Sequence, residues 1–247
     1  MTRLNRLLLA LVVAFGPSLV SAACAPVTHD GTPYTVCTVN PAEEELRLFR
    51  LDEDGAVLGS FGRVRNLVQE QGKTLTFAMN AGMYHKDRSA VGLYIEDGVE
   101  QHRVIASAGP GNFGLLPNGL LCITDGKADV IETREYVAAP PACIHATQSG
   151  PMLVIDGKLH PRFLVDSTSR YIRNGVGVGA DGLVHFAISD RAVTFHEFGR
   201  LFRDELKTPN ALFLDGNVSR IYAPDIGRSD AGFALGPIIG TVSPQTR

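Results

Sequence analysis

Two stretches share one reading: Thr74-Leu75-Thr76-Phe77-Ala78-Met79 running into Asn80-Ala81-Gly82, and Ala211-Leu212-Phe213-Leu214 running into Asp215-Gly216-Asn217. Each is a short, continuously apolar run that stops at a cluster of polar and glycine residues, the pattern of a buried strand ending in a loop. A helix precedes each. Phe61, Val64, Leu67 and Val68 recur at helical spacing with Gly72 as a stop. Thr194 followed by Glu197 forms a capping box ahead of the apolar stripe Phe195, Phe198, Phe202 and Leu206. Two helices set among many strands predict an α+β fold with mostly antiparallel pairing.

Working outward, the intervening segments also look paired. Gly92-Leu93-Tyr94-Ile95-Glu96-Asp97-Gly98 resembles Met152-Leu153-Val154-Ile155-Asp156-Gly157, and residues 118–125 resemble 181–190. The offsets, from 98 to 157, 119 to 182 and 125 to 190, are nearly constant. They predict a single domain over residues 23–247 built from internally duplicated helix-plus-antiparallel-sheet units, with Asn80 and Asp215 converging between the halves. Residues 46–58, with Asp54-Gly55, predict a hairpin. Gly177-Val178-Gly179-Ala180-Asp181-Gly182 matches a dinucleotide-binding pattern, but a strand-like run follows it where the fingerprint needs a helix. Asp181-Gly182 is read as a hairpin turn instead.

The first residues predict a leader. Arg3 and Arg6 precede the apolar run Leu7 to Phe15, and Val20-Ser21-Ala22 fits a cleavage site, so residues 1–22 read as a signal peptide and the protein as exported, periplasmic or secreted. A lipoprotein signal would set a larger apolar residue three positions before Cys24, where Ser21 stands. No later stretch reaches the roughly 20 apolar residues of a transmembrane helix. Of 247 residues, 23 are basic and 26 acidic; loss of the two leader arginines leaves 21 against 26, a net charge of −5. Nothing in that balance favours nucleic-acid binding. Cys24, Cys37, Cys122 and Cys143 all survive cleavage, and an even count in an exported chain predicts two disulfides. Local pairing, Cys24–Cys37 and Cys122–Cys143, closes the shortest loops.

Polar side chains gather in glycine-containing loops after apolar strands: Asn80, Gln148-Ser149, Arg173-Asn174, and Asp215 with Gly216, Asn217 and Ser219. Any one of these is ordinary turn chemistry. Four together, one with an arginine that has no turn role, predict a site for a small polar ligand. Tyr84 and His85 stand beside Asn80. The seven histidines show no metal-ligand spacing, so no cofactor is expected; Asp215 with a neighbouring Asp is the open alternative for a divalent ion. Ser149 lacks the nucleophile-elbow motif, which leaves a serine hydrolase using His145 or His196 as a weaker alternative.

At these residues the chain resembles the phosphodiester glycosidase family, in particular its bacterial exported branch. The resemblance runs over about residues 74 to 242. It is carried by Asn80-Ala81-Gly82-Met83-Tyr84, Gly111-Asn112-Phe113-Gly114 with Pro117-Asn118-Gly119, Ala146-Thr147-Gln148-Ser149-Gly150-Pro151, Arg173-Asn174-Gly175-Val176-Gly177 and Ala211-Leu212-Phe213-Leu214-Asp215-Gly216. It implies an enzyme that hydrolyses a sugar-1-phosphodiester to free sugar and a phosphate monoester. Animal members have a Gly- and Ser-rich run where this chain has Asn217-Val218-Ser219-Arg220, so their N-acetylglucosamine is not carried over. For such chemistry Asp215 is the expected nucleophile or general base and Arg173 the phosphate clamp. Asn80 completes the expected catalytic set, and Gln148, Ser149, Asn174, Asn217, Tyr84, His85 and Gly216 are the expected substrate-binding residues. Asp190, Glu197 and Asp87 are open choices for a second carboxylate. With no Trp in the chain, Tyr84, Phe113, Tyr171 or Tyr222 would stack on the sugar. The alternative from another class is a non-catalytic module binding envelope polysaccharide or a partner protein.

Overall fold

The computed structural model describes residues 22–216 and 218–245, so the expected leader, apart from Ala22, and Asn217 lie outside the described residues. In chain order the elements are β1 (Ala23–His29), β2 (Thr32–Val39), β3 (Glu45–Phe49), α1 (Phe61–Glu70), β4 (Lys73–Asn80), β5 (Tyr94–Glu96), β6 (Val99–His102), β7 (Gly119–Thr124), β8 (Lys127–Glu132), α2 (Thr133–Ala138), β9 (His145–Ser149), β10 (Met152–Ile155), β11 (Lys158–Leu159), β12 (Asn174–Val178), β13 (Val184–Ser189), α3 (Phe195–Arg200), β14 (Asn210–Asp215), β15 (Ile221–Ala223), β16 (Arg228–Ser229) and β17 (Ile238–Pro244).

The strands form three antiparallel sheets, in the orders β1-β2-β13-β12-β14-β10-β11, β16-β15-β4-β17-β3 and β6-β5-β9-β7-β8. This is the α+β single domain expected. Its central core lies between the sheets, where Phe77 and Met79 of β4 meet Val176 and Val178 of β12, Leu212 and Leu214 of β14, and Leu121 of β7. The opposite face of β14, Ala211 and Phe213, packs under Phe198 and Phe202. On the far side of the second sheet, α1 seats Phe61, Val64 and Val68 against Leu75 and Ala78 of β4. Both faces of β14 and of the second half of β4 are therefore buried, which is why Phe77-Ala78-Met79 and Ala211-Leu212-Phe213-Leu214 read as unbroken apolar runs rather than as alternation.

The local punctuation acts as the residue types dictate. Ser60 caps α1, Gly72 ends it at φ +71°, and Thr194 and Glu197 complete a capping box at α3. The second helix is shorter than its stripe suggests: beyond Arg200 it continues as a π-helical turn, Leu201–Glu205. Cys24–Cys37 and Cys122–Cys143 are the disulfides. Asp181-Gly182 turns the β12–β13 hairpin.

Two expectations need correction. The turn at Asp54-Gly55 is closed by a single Leu51–Val57 bridge, and β3 takes β17 as its partner instead of residues 51–58. The two supposed copies also do not occupy matching places. β5–β6 belongs to the third sheet and β10–β11 to the first, while α1 and α3 cover different sheets. What they share is an Asp-Gly turn with both residues at positive φ, Asp97-Gly98 and Asp156-Gly157, and Asp30-Gly31 repeats it in β1–β2. What the structure shows in common is a favoured hairpin turn, and it does not confirm a repeated unit.

Burial makes protonation of His145, His160 and His185 harder in the fold than in the open chain. As pH falls through about 6.5 the unfolded chain takes up these protons first, so this contribution to stability is lost on acidification. Glu44 and Glu96, raised by burial, act in the opposite sense. His160→Gln is expected to show a smaller loss of unfolding free energy than wild type between about pH 7.5 and 5.5 in urea titrations. Parallel pH profiles would take His160 out of this account.

Candidate active site

The ends of three strands meet at one buried amide. Asn174 opens β12 opposite Asp215, at a bulge between Asn174 and Gly175. Gly175 allows the close approach, since a Cβ there would sit 2.7 Å from the Leu212 carbonyl. Asn174 Oδ1 accepts from the Asp215 N–H at 3.1 Å and from Asn80 Nδ2 at 3.2 Å, and its Nδ2 donates to the Asn80 carbonyl at 2.9 Å. Asn80 Oδ1 accepts the Arg220 N–H at 2.9 Å. The Ser219 hydroxyl lies 2.8 Å from the Asp215 carbonyl and 3.1 Å from Asn174 Oδ1. Asn80 and Asp215 thus do converge, joined through Asn174 across two sheets. A network in which each buried amide has partners holds its members in one arrangement.

Outside this brace a cleft of about 540 Å³ opens. Arg173, Asp215 and Gly216 line it together with Ser169, Asn112 and Tyr84; Met83, Tyr171 and Val218 supply apolar wall. The Arg173 side chain is 1% exposed. Its Nε donates to the Val193 carbonyl at 2.9 Å and its Nη2 to the Ser169 carbonyl at 3.1 Å. The guanidinium carbon lies 3.8 Å from the centre of the Phe195 ring, with Tyr171 and Phe213 at 5.3 and 5.4 Å. Burial pulls this guanidinium down to about 10, which still leaves it charged at neutral pH. The ring faces offset part of the desolvation. Gly216 lies beside Nη1, where a Cβ would stand 3.5 Å away.

Asp215 Oδ1 accepts the Gly216 N–H at 2.5 Å, which turns the carboxylate back over its own loop. Tyr84 donates to the Ala234 carbonyl at 3.4 Å. Burial pushes its phenol up, and the charge of Asp215 pushes the same way, so it is a neutral donor at physiological pH. One cleft therefore holds a fixed cation, a carboxylate and a phenol.

The other expected residues fall elsewhere. Gln148 is buried and committed to the interior, its Oε1 accepting from Leu93 and Ile105 N–H and its Nε2 donating to the Ile105 carbonyl and Thr133. Ser149 donates to the Leu214 carbonyl at 3.0 Å, which ties β9 to β14. His85 belongs to a turn closed by Ser89 and does not line the cleft. Nor do the open carboxylates: Asp190 pairs with Arg228, Glu197 with Arg170, and Asp87 caps Ser89. Among the described residues Asp215 is the sole carboxylate lining the cleft, and no group of three or more His, Cys, Asp or Glu is placed to hold a metal ion. Sequence reasoning missed Asn112, present in a quoted motif but given no role, and Ser169, which serves through its carbonyl and leaves no trace in residue type.

The position of Ser149 makes a serine-hydrolase reading testable. Ser149→Ala is expected to leave turnover within about threefold and to cost about 1 kcal/mol of stability for the lost hydrogen bond. Loss of activity together with labelling of wild type by a fluorophosphonate would restore it as a nucleophile.

Comparison with known proteins bears on this arrangement. The Escherichia coli protein YigE, itself uncharacterized, is 30% identical over 220 residues, 89% of this chain and 85% of its own length. The catalytic domain of zebrafish N-acetylglucosamine-1-phosphodiester alpha-N-acetylglucosaminidase, auto-inhibited by its pro-peptide, superposes with a TM-score of 0.58 at 14% identity, covering 92% of this chain and 84% of that one. A Synechocystis protein superposes at 0.56 and 14% identity over 89% of this chain, which spans only 61% of that protein's length. At such identities these likenesses concern the fold. The profile of the phosphodiester glycosidases matches residues 73–227, from the first residue of β4 to just past β15, a span that includes Asn80, Arg173, Asn174 and Asp215. The chain belongs to the phosphodiester glycosidase family.

Proposed function

We propose that the protein is an exported glycosidase that hydrolyses a sugar-1-phosphodiester to free sugar and a phosphate monoester. The observation that carries this is a buried, ring-stacked guanidinium sharing one cleft with a carboxylate. A fixed cation lining the cleft suits a phosphate, and a carboxylate beside it suits the anomeric carbon. The two disulfides and the leader-like sequence support export.

In this reading the C1–O bond to the phosphate breaks with its electron pair staying on the phosphate oxygen, through an oxocarbenium-like state. A phosphate leaves as a stable anion, so a strong general acid is not needed, and one carboxylate in the cleft suffices. Arg173 binds the phosphate and neutralises charge as it builds. Asp215 either takes a proton from the attacking water, whose oxygen bonds to C1, or bonds to C1 itself and is released by water in a second step. Asn174 and Asn80 are positioning residues acting through the Asp215 backbone. Tyr84, with its neutral phenol, donates to a sugar or phosphate oxygen by turning its one O–H from the long contact with the Ala234 carbonyl.

A panel of sugar-1-phosphodiesters, nucleotide sugars included, followed by NMR of the anomeric proton, tests the proposal. Free sugar is expected, and the configuration of the first anomer assigns Asp215 as nucleophile for retention or as base for inversion. No free sugar from any member, with the protein shown folded, would move the cleft to the binding-module reading.

A further inference from the structure

Ten large apolar side chains stand exposed among the described residues, and five of them, Leu164, Val165, Tyr171, Ile172 and Phe233, lie on two loops beside this cleft. A solitary exposed apolar side chain needs no explanation, but their gathering around a site does. The first loop is tied to the cation: the Leu164 carbonyl accepts Ser167 N–H, Ser167 Oγ accepts Ser169 N–H, and the Ser169 carbonyl accepts Arg173 Nη2. The second loop is tied to the opposite wall, where the Phe233 carbonyl accepts the Arg220 side chain and the Ala234 carbonyl accepts Tyr84. Val165 is 77% exposed and Phe233 84%. The cleft itself has apolar wall at Met83, Tyr171 and Val218. An apolar group leaving the phosphate anchor would have these side chains and those of the two loops as its path to solvent.

We infer that the substrate is an amphiphile: a sugar-1-phosphodiester whose second ester is a long-chain alcohol, with the phosphate on Arg173 and the alkyl chain along this path. The inference rests on the glycosidase reading and adds the class of the leaving group. Water adds its OH to the sugar C1 and its proton to the departing side, so the products are free sugar and a long-chain alkyl phosphate. Each methylene withdrawn from water is worth about a fourfold gain in affinity, so two seated methylenes suffice for about a tenfold effect.

The test compares ethyl and octyl esters of the sugar-1-phosphate that the panel shows to be turned over, both below their aggregation concentrations. KM for the octyl ester is expected to be lower by about tenfold or more. The double variant Val165→Ser, Phe233→Ser is expected to shrink that advantage to under about threefold while leaving ethyl-ester turnover unchanged. Equal KM values for the two esters overturn the inference, even if the protein sediments with phospholipid vesicles, which would assign the rim to a membrane surface. An octyl advantage untouched by the double variant overturns the assignment to these loops. If no sugar ester is hydrolysed, the glycosidase reading fails, and calorimetric titration with ethyl and octyl glucose-1-phosphate decides the rest. Tighter octyl binding keeps the amphiphile, and equal binding removes it.

Discussion

Asp215→Asn is expected to lower kcat by roughly 10²- to 10⁴-fold, the range that a positioned acid or base contributes, while melting within a few degrees of wild type. The expectation of an intact fold comes from the way Asp215 is held. Its backbone N–H is bound by Asn174, its carbonyl by Ser219, and Gly216 needs only an oxygen at Oδ1, which asparagine retains. What asparagine cannot do is accept a proton or form a stable bond to the anomeric carbon. Because Asp215 is the sole carboxylate among the described residues lining the cleft, none is at hand to replace it. A variant with near-wild-type kcat would remove Asp215 from the chemistry and leave it a loop residue.

The second large effect is at Arg173. Arg173→Lys is expected to raise KM by about 10- to 100-fold, the loss of one or two charge-assisted hydrogen bonds. An ammonium lacks the flat face that stacks on Phe195 and the fork that serves Val193, Ser169 and a ligand at once. The carbonyls of Val193 and Ser169 also lose donors in a buried setting, which costs about 1–3 kcal/mol each where no water replaces them. A lower melting temperature therefore accompanies the higher KM. Steady-state kinetics on the folded variant separates the two, since a purely structural arginine would lower Tm and leave KM unchanged. That outcome would undo the phosphate anchor.

Much of the fold could be read in advance because its signals are local. The apolar runs of β4 and β14, the Thr194–Glu197 box, the Asp181-Gly182 turn and both disulfides depend on neighbours or on short loops. The partner of β3 did not show, because β17 lies far away in sequence and pairing leaves no mark on either strand alone. The repeated Asp-Gly hairpins misled for a related reason: a favoured turn recurs wherever two strands must reverse. At the site, the gathering of Asn80, Arg173, Asn174 and Asp215 was visible as polar residues at the ends of apolar strands. The direction of each side chain was not. Gln148 and Ser149 have the same composition and setting as binding residues, yet their polar atoms are spent on backbone groups of the interior. Residue type states what a group can bond, and only the packing states what it does bond.

The placing of β17 between β3 and β4 has a consequence in time. Residues 238–244 fill the gap between residues 45–49 and 73–80, and Ile238 stands directly opposite Asn80. A ribosome delivers them long after residues 45–80, so the strand that carries Asn80 waits for this neighbour while all the residues between are made. A message cut short before codon 238 therefore yields a product with an open seam beside the asparagine brace, and proteolysis is its expected fate.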